Sequence, residues 1–212
     1  GALNGYIVVR TGLPSFIVTL ATLFILRGFT IFIPQTLERK TIIGGIREAA
    51  EGDWLAPIFG AKIFTGFFQW LGDMGVIGVF TRGNLEGKPV VDGIPMLIVW
   101  ALGLVVFGHI LLTRTRFGNW IFAAGGDAQA ARYAGVPVDR VKILMFMFTA
   151  FCATVFAVCQ VMEFGSAGSD RGILKEFEAI IAVVIGGALL TGGYGSVIGA
   201  ALGALIFGVV QQ

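Results

Sequence analysis

Of 212 residues, 56% are hydrophobic and 13% are charged, the formal net charge is +2 and the mean hydropathy is +0.87. A soluble domain of this length has no use for so much apolar surface, so the composition excludes a water-soluble protein and points to a chain embedded in a membrane. The small positive charge is spread over short loops without a basic stripe, which excludes nucleic acid as a partner.

The opening stretch, GALNGYIVVRTG, has neither Met nor the basic n-region of a signal peptide, and the closing GALIFGVVQQ stops without a polar tail. The chain is therefore expected to be a fragment of a longer protein. GALNG and GVVQQ share the form Gly, two apolar or small residues, then an amide, a weak internal echo of the kind transporter repeats leave.

Leu13–Ile33 is the first run of about 20 residues that is apolar on every face, the length that crosses a ~30 Å hydrocarbon layer as helix. Lipid admits helices and closed barrels, and barrel strands would alternate apolar with polar residues. Within this run Phe16, Thr19 and Thr22 lie about one turn apart, and hydroxyls beside an aromatic ring suit weak binding of a polar solute. Threonines also bond their own helix carbonyls, so both readings stand. Arg27 is placed near the outer end of this span.

From Pro34 to Gly93 the chain is mixed, six basic residues facing seven acidic ones. Trp54–Phe80 holds two tryptophans and five phenylalanines broken by glycines, Lys62 and Asp73. Aromatic rings favour the headgroup level and the charges resist burial, so an interfacial or re-entrant segment is expected over 34–93, with a full crossing as the alternative.

Ile94–Thr113 is the clearest span, free of Asp, Glu, Lys and Arg. Its His109 reads as a packing or hydrogen-bonded residue before a proton relay. Five basic residues against two acidic ones follow between Arg114 and Lys142, whereas Glu163–Glu178 is acidic in balance. Lys and Arg collect on the cytoplasmic side, so 114–140 is read as a cytoplasmic loop and the later loop as outside.

In that loop AAGGDAQAARYAGVPVDRVK breaks at Gly125 and Gly126 and restarts at Asp127, a good N-cap. AQAARYA forms helix, Gly135 ends it and Pro137 prevents its resumption. A helix of about two turns is marginal in water, so it either packs on its own protein or docks in a partner's groove. Val141–Met162 is a further span, with Cys152 and Cys159 one heptad apart as small packing residues.

The glycine-rich tail begins with Phe177–Leu190, too short for a comfortable crossing, and TGGYGS breaks it, as in a discontinuous helix bordering a cavity. Glu176 and Glu178 fall at its dipole-positive end, in a capping role weighed against substrate binding. Gly195, Gly199 and Gly203, at i, i+4 and i+8, leave one helix face bare for close packing. No phosphate-binding G-x-x-x-x-G-K-[ST] occurs, nor any metal cluster or nucleophile–base pair, so this chain is read as binding no cofactor or metal and as no enzyme.

Three stretches carry a resemblance. TRFGNWIFAAGGDAQAARYAGVPVDRVKI, LPSFIVTLATLFILRG and FEAIIAVVIGGALLTGGYGSVIGAALGALIFGVV resemble, in order, segments of the permease subunits of bacterial monosaccharide ABC importers of the ribose, xylose and galactose type, within the branched-chain amino acid permease superfamily. The resemblance covers roughly residues 1–30 and 94–212. It departs in the longer 34–93 segment, in Tyr194 where Arg is frequent, and in lacking the family's N-terminal and final spans.

The resemblance implies an all-α, polytopic transmembrane helical bundle in the bacterial inner membrane, with 1–212 one permease domain incomplete at both ends. It implies separate ATPase subunits that hold ATP and magnesium, a second permease copy or close relative, and a periplasmic sugar-binding protein. Asp127, Ala128, Gln129, Ala130, Ala131, Arg132, Tyr133, Ala134 and Gly135 would then form the coupling helix on the ATPase. A branched-chain amino acid permease, or a secondary transporter or channel with 114–140 as a mere linker, are the alternatives. The spans contain few charges of the kind secondary transporters use for ion coupling.

Overall fold

A computed structural model describes residues 1–37, 39, 42–50, 52–54, 56–74 and 93–211. The chain divides into two compact units, one of Gly1–Ile42, Gly103–Thr154 and Gly168–Gln212, the other of Ile43–Leu102 and Val155–Ala167.

The first unit opens with α1 (Ala2–Thr11), a helix that the sequence reading did not single out. Its small residues lie against backbone. A β-carbon on Gly1 would stand 2.6 Å from the carbonyl oxygen of Phe146, and one on Gly5 2.9 Å from Cα of Ile143. Gly12, with φ 70°, ends the helix, and α2 (Ser15–Leu37) follows. At 1.5 Å per residue its 23 residues span about 34 Å. The helix runs through Pro34, past the end expected at Ile33. Ten residues of helix follow Arg27.

Among the described residues, α6 (Met96–Arg114) and α9 (Val138–Phe164) are the other two helices long and apolar enough to cross a membrane, and each has residues in both units. Few of their side chains are buried in the chain, as expected of helices whose other faces meet lipid or further helices. A buried cluster of the first unit lies at the start of α9, where Val138 and Val141 meet Ala124, Ala131, Phe117 and Ile121.

The second unit holds the start of α6 and the end of α9 with short pieces: β1 (Ile42–Gly44, from the boundary), α3 (Ile46–Ala49), α4 (Ala56–Gly60), β2 (Lys62–Ile63), α5 (Thr65–Asp73) and β3 (Ile94–Pro95). β2 pairs antiparallel with β3, Lys62 opposite Pro95. Phe59 stacks on Trp100 at 5.5 Å, and the Trp100 indole N–H donates to the Ile58 carbonyl. Arg47 donates to the carbonyls of Met162 and Glu163, satisfying the last turn of α9 and complementing its dipole. Over 54–74 the helices are five and nine residues long and separated by a strand, too short to cross. The rest of the aromatic segment, 75–80, lies outside the described residues.

Candidate functional site

Between α6 and α9, within the stretch the sequence reads as a loop, the chain builds three turns of helix. Thr115 caps α7 (Arg116–Gly126), its hydroxyl accepting from the Gly118 N–H at 3.1 Å while donating to the Leu111 carbonyl. Gly118 is obligatory in that corner, because a β-carbon there would stand 2.6 Å from the Leu111 carbonyl oxygen.

Asp127 then caps α8 (Ala128–Tyr133) as the sequence requires, Oδ1 accepting from the N–H groups of Gln129 and Ala130 at 2.8 and 3.0 Å. The stop follows the pattern of a Schellman motif. The Val136 N–H donates to the Ala131 carbonyl, the Gly135 N–H to that of Arg132, and Gly135 has φ 83°. Pro137 does not prevent resumption, since α9 begins at the next residue; its own N–H would have been an orphan at a helix start anyway.

Of the nine expected coupling residues, Ala131 is buried and Ala128 half-buried against the α7–α9 cluster, so these two face their own chain. Asp127, Gln129, Ala130, Arg132, Tyr133, Ala134 and Gly135 are exposed. Tyr133 is 92% exposed, whereas Arg132 is tied in an ion pair to Asp139 across the turn. The short helix thus uses one face to pack at home and presents a tyrosine on the other.

The glycine tail forms a hairpin of two short helices, α10 (Lys175–Ile185) and α11 (Val197–Val210), with the break between them. A β-carbon on Gly186 would stand 2.7 Å from Cα of Ala200, and one on Gly203 2.5 Å from the nitrogen of Gly186. Gly199 faces the Gly186 carbonyl in the same seam and leaves 2.8 Å to the Ser196 hydroxyl, which caps α11. Gln211 at the far end donates to Glu178, which also accepts from Lys175 in the first turn of α10. Gly195 lies ahead of α11 and packs on Ala188, so the expected glycine face is carried inside the helix by Gly199 and Gly203.

The two motifs meet. Gly192 and Gly193, at φ 90° and 78° in the break, lie against Gly125 and Gly126 at the end of α7. A β-carbon on Gly125 would stand 2.8 Å from the Gly193 nitrogen, and one on Gly192 2.5 Å from the Gly125 oxygen. No spacing in the sequence reveals this pairing of residues some 67 positions apart.

Thr19, Leu23, Ile121, Gly125, Lys142 and Thr149 are among the residues lining a cavity of about 630 Å³ enclosed by α1, α2, α7 and α9. Thr22 and Phe16 do not line it. Thr19 and Thr22 both donate to carbonyls of their own helix, Thr19 to Ser15 and Phe16, Thr22 to Val18 and Thr19. Cys152 and Cys159 are free thiols on α9.

These features define a membrane-spanning helical protein in which a short capped helix adjoins the break between two further short helices. The family model described as the permease component of the branched-chain amino acid transport system matches residues 1–212, and the chain belongs to that family. It is 32% identical to the xylose transport system permease protein XylH of Escherichia coli K12, over 97% of this chain and 58% of the relative. It is 32% identical to the autoinducer 2 import system permease protein LsrD of Photorhabdus luminescens, over 100% and 54%, and 31% identical to the ribose import permease protein RbsC of Escherichia coli K12, over 100% and 56%. The chain thus spans little more than half the length of these relatives. No solved structure matches it.

Proposed function

We propose that this chain forms part of the transmembrane subunit of an ABC importer that moves a monosaccharide across the bacterial inner membrane. Separate ATPase subunits hydrolyse ATP with magnesium, and a periplasmic binding protein delivers the sugar. The Lys and Arg surplus of 114–142 puts α8 in the cytoplasm. Relatives named for xylose and ribose favour a pentose-like substrate over a branched-chain amino acid.

The observation that carries this reading is the contact of Gly125 and Gly126 with Gly192 and Gly193. An ATPase that grips α8 moves the end of α7. With no side chain between the two backbones, nothing soft absorbs that motion before it reaches the break between α10 and α11. Discontinuous helices of this kind border transport paths, because freed backbone groups are tolerated in a membrane only where protein or water satisfies them.

The test has two arms. Single cysteines at Ala130 and Ser169, in a full-length subunit lacking Cys152 and Cys159, are labelled from opposite faces, Ala130 from the cytoplasm. Vesicles carrying the subunit with its ATPase and binding protein then take up xylose or ribose with ATP inside the cytoplasmic compartment. Leucine uptake without pentose uptake would replace the sugar reading by the amino acid one, and labelling of both sites from one face would sink the proposed topology.

A further inference from the structure

Arg27 is the single charged residue of α2, and a charge on an apolar span is expensive enough to demand a function. It is half-buried, and no hydrogen bond or ion pair ties it to another described residue. Together with Thr30, one turn further on, it lines an open cavity of about 180 Å³ that is bordered on the other side by Ser169, Arg171 and Glu176, at the approach to α10. Leu23 and Leu26 supply an apolar wall.

We propose that this cavity is a sugar-binding station at the outer approach to the transport path, a reading that rests on the importer assignment above. Adjacent sugar hydroxyls each donate and accept. A guanidinium fork donates to two of them, a carboxylate accepts from them, and the Thr30 hydroxyl, which gives its proton to the Leu26 carbonyl, keeps its lone pairs for a ligand. The leucine wall suits the C–H face of the ring. A volume well below that of drug-sized pockets fits one small ring. Arg171 also lines the cavity, so two cations face one carboxylate and an anion such as a lipid phosphate is the competing occupant; the Glu176 carboxylate and the leucine wall are what a neutral polyol uses and a phosphate does not.

The station is tested in the full-length subunit assembled with its ATPase and binding protein in vesicles, by labelled xylose and ribose uptake. Arg27→Gln and Glu176→Gln should each raise the KM about tenfold, the effect of losing a hydrogen bond to a charged group, while Arg27→Lys, with charge but no fork, falls between. Co-purification of the ATPase with each variant shows that the complex still assembles. An unchanged KM in Arg27→Gln overturns the station while leaving the importer reading intact. So does a loss of uptake in that variant that anionic lipid content alone governs. If the wild type carries neither pentose, the importer reading for these sugars fails and the station with it.

Discussion

The nitrogen of Gly193 lies 2.8 Å from the point where a β-carbon on Gly125 would stand, so the cassette and the broken helix touch backbone to backbone. Gly126, beside it, leaves 3.9 Å to the nearest atom of Gly193. Gly125→Ala should therefore push the two segments apart, at a cost of about 1–3 kcal/mol as for other overpacked sites, while Gly126→Ala fits. If the contact transmits motion, Gly125→Ala lowers sugar moved per ATP hydrolysed and leaves ATPase binding unaltered. Equal coupling ratios in the two variants would remove the contact from the mechanism.

The seam between α10 and α11 predicts an equally sharp contrast. Gly203 lies against Ala182 and Gly186, whereas Gly208, five residues on in the same helix, has nothing within 4 Å of its β-position. Gly203→Leu should lower the thermal unfolding midpoint of the detergent-solubilised subunit by several degrees, since close approach of small residues is what holds such helices together in lipid. Gly208→Leu should leave the midpoint within a degree or two. Similar shifts for both would mean that the seam contributes nothing specific.

How much of this was legible follows from which signals are local. Spans declare themselves by composition, and α2, α6 and α9 fall where the apolar runs are, although α2 continues through Pro34. Capping is local too, so Asp127 and Gly135 could be read directly. The start of α7 was missed although Thr115 precedes an apolar spacing of Phe117, Ile121 and Ala124, because the charge balance marks the whole stretch as a loop and Gly118 serves a close corner that only the fold reveals. That α8 turns Ala128 and Ala131 inward, and that Gly125 meets Gly193, are tertiary facts; composition marks these residues as small without naming what they approach.

Thr19 and Thr22 looked equivalent in sequence, and the structure separates them. Only Thr19 lines the cavity of about 630 Å³ beside Gly125. Thr19→Val should slow pentose uptake about threefold or more by removing a hydroxyl from that wall, whereas Thr22→Val, whose hydroxyl serves its own helix, should change uptake by less than twofold. Initial rates at matched expression decide the matter. A larger effect at Thr22 would exclude the cavity from the path.

The last prediction concerns the outward face of α8. Tyr133 stands 92% exposed on a helix whose other side is packed, and an exposed aromatic on a rigid support is the residue type that most often anchors an interface. Arg132 is exposed as well, but its pairing with Asp139 means that docking must first loosen an existing contact, so it contributes less. Tyr133→Ala should account for most of the loss, and the double change with Arg132→Ala should weaken ATPase docking at least tenfold, or about 2 kcal/mol. Gly135→Val acts by a different route. Nothing crowds its β-position, so its cost is the left-handed backbone alone, about 1–2 kcal/mol, felt as a disturbed end of α8. Co-elution of the full-length subunit with its ATPase, followed by uptake-linked ATP hydrolysis, measures both. If the Tyr133/Arg132 double variant co-elutes and couples as the wild type does, α8 is a linker that packs on its own chain and the ATPase grips the subunit elsewhere.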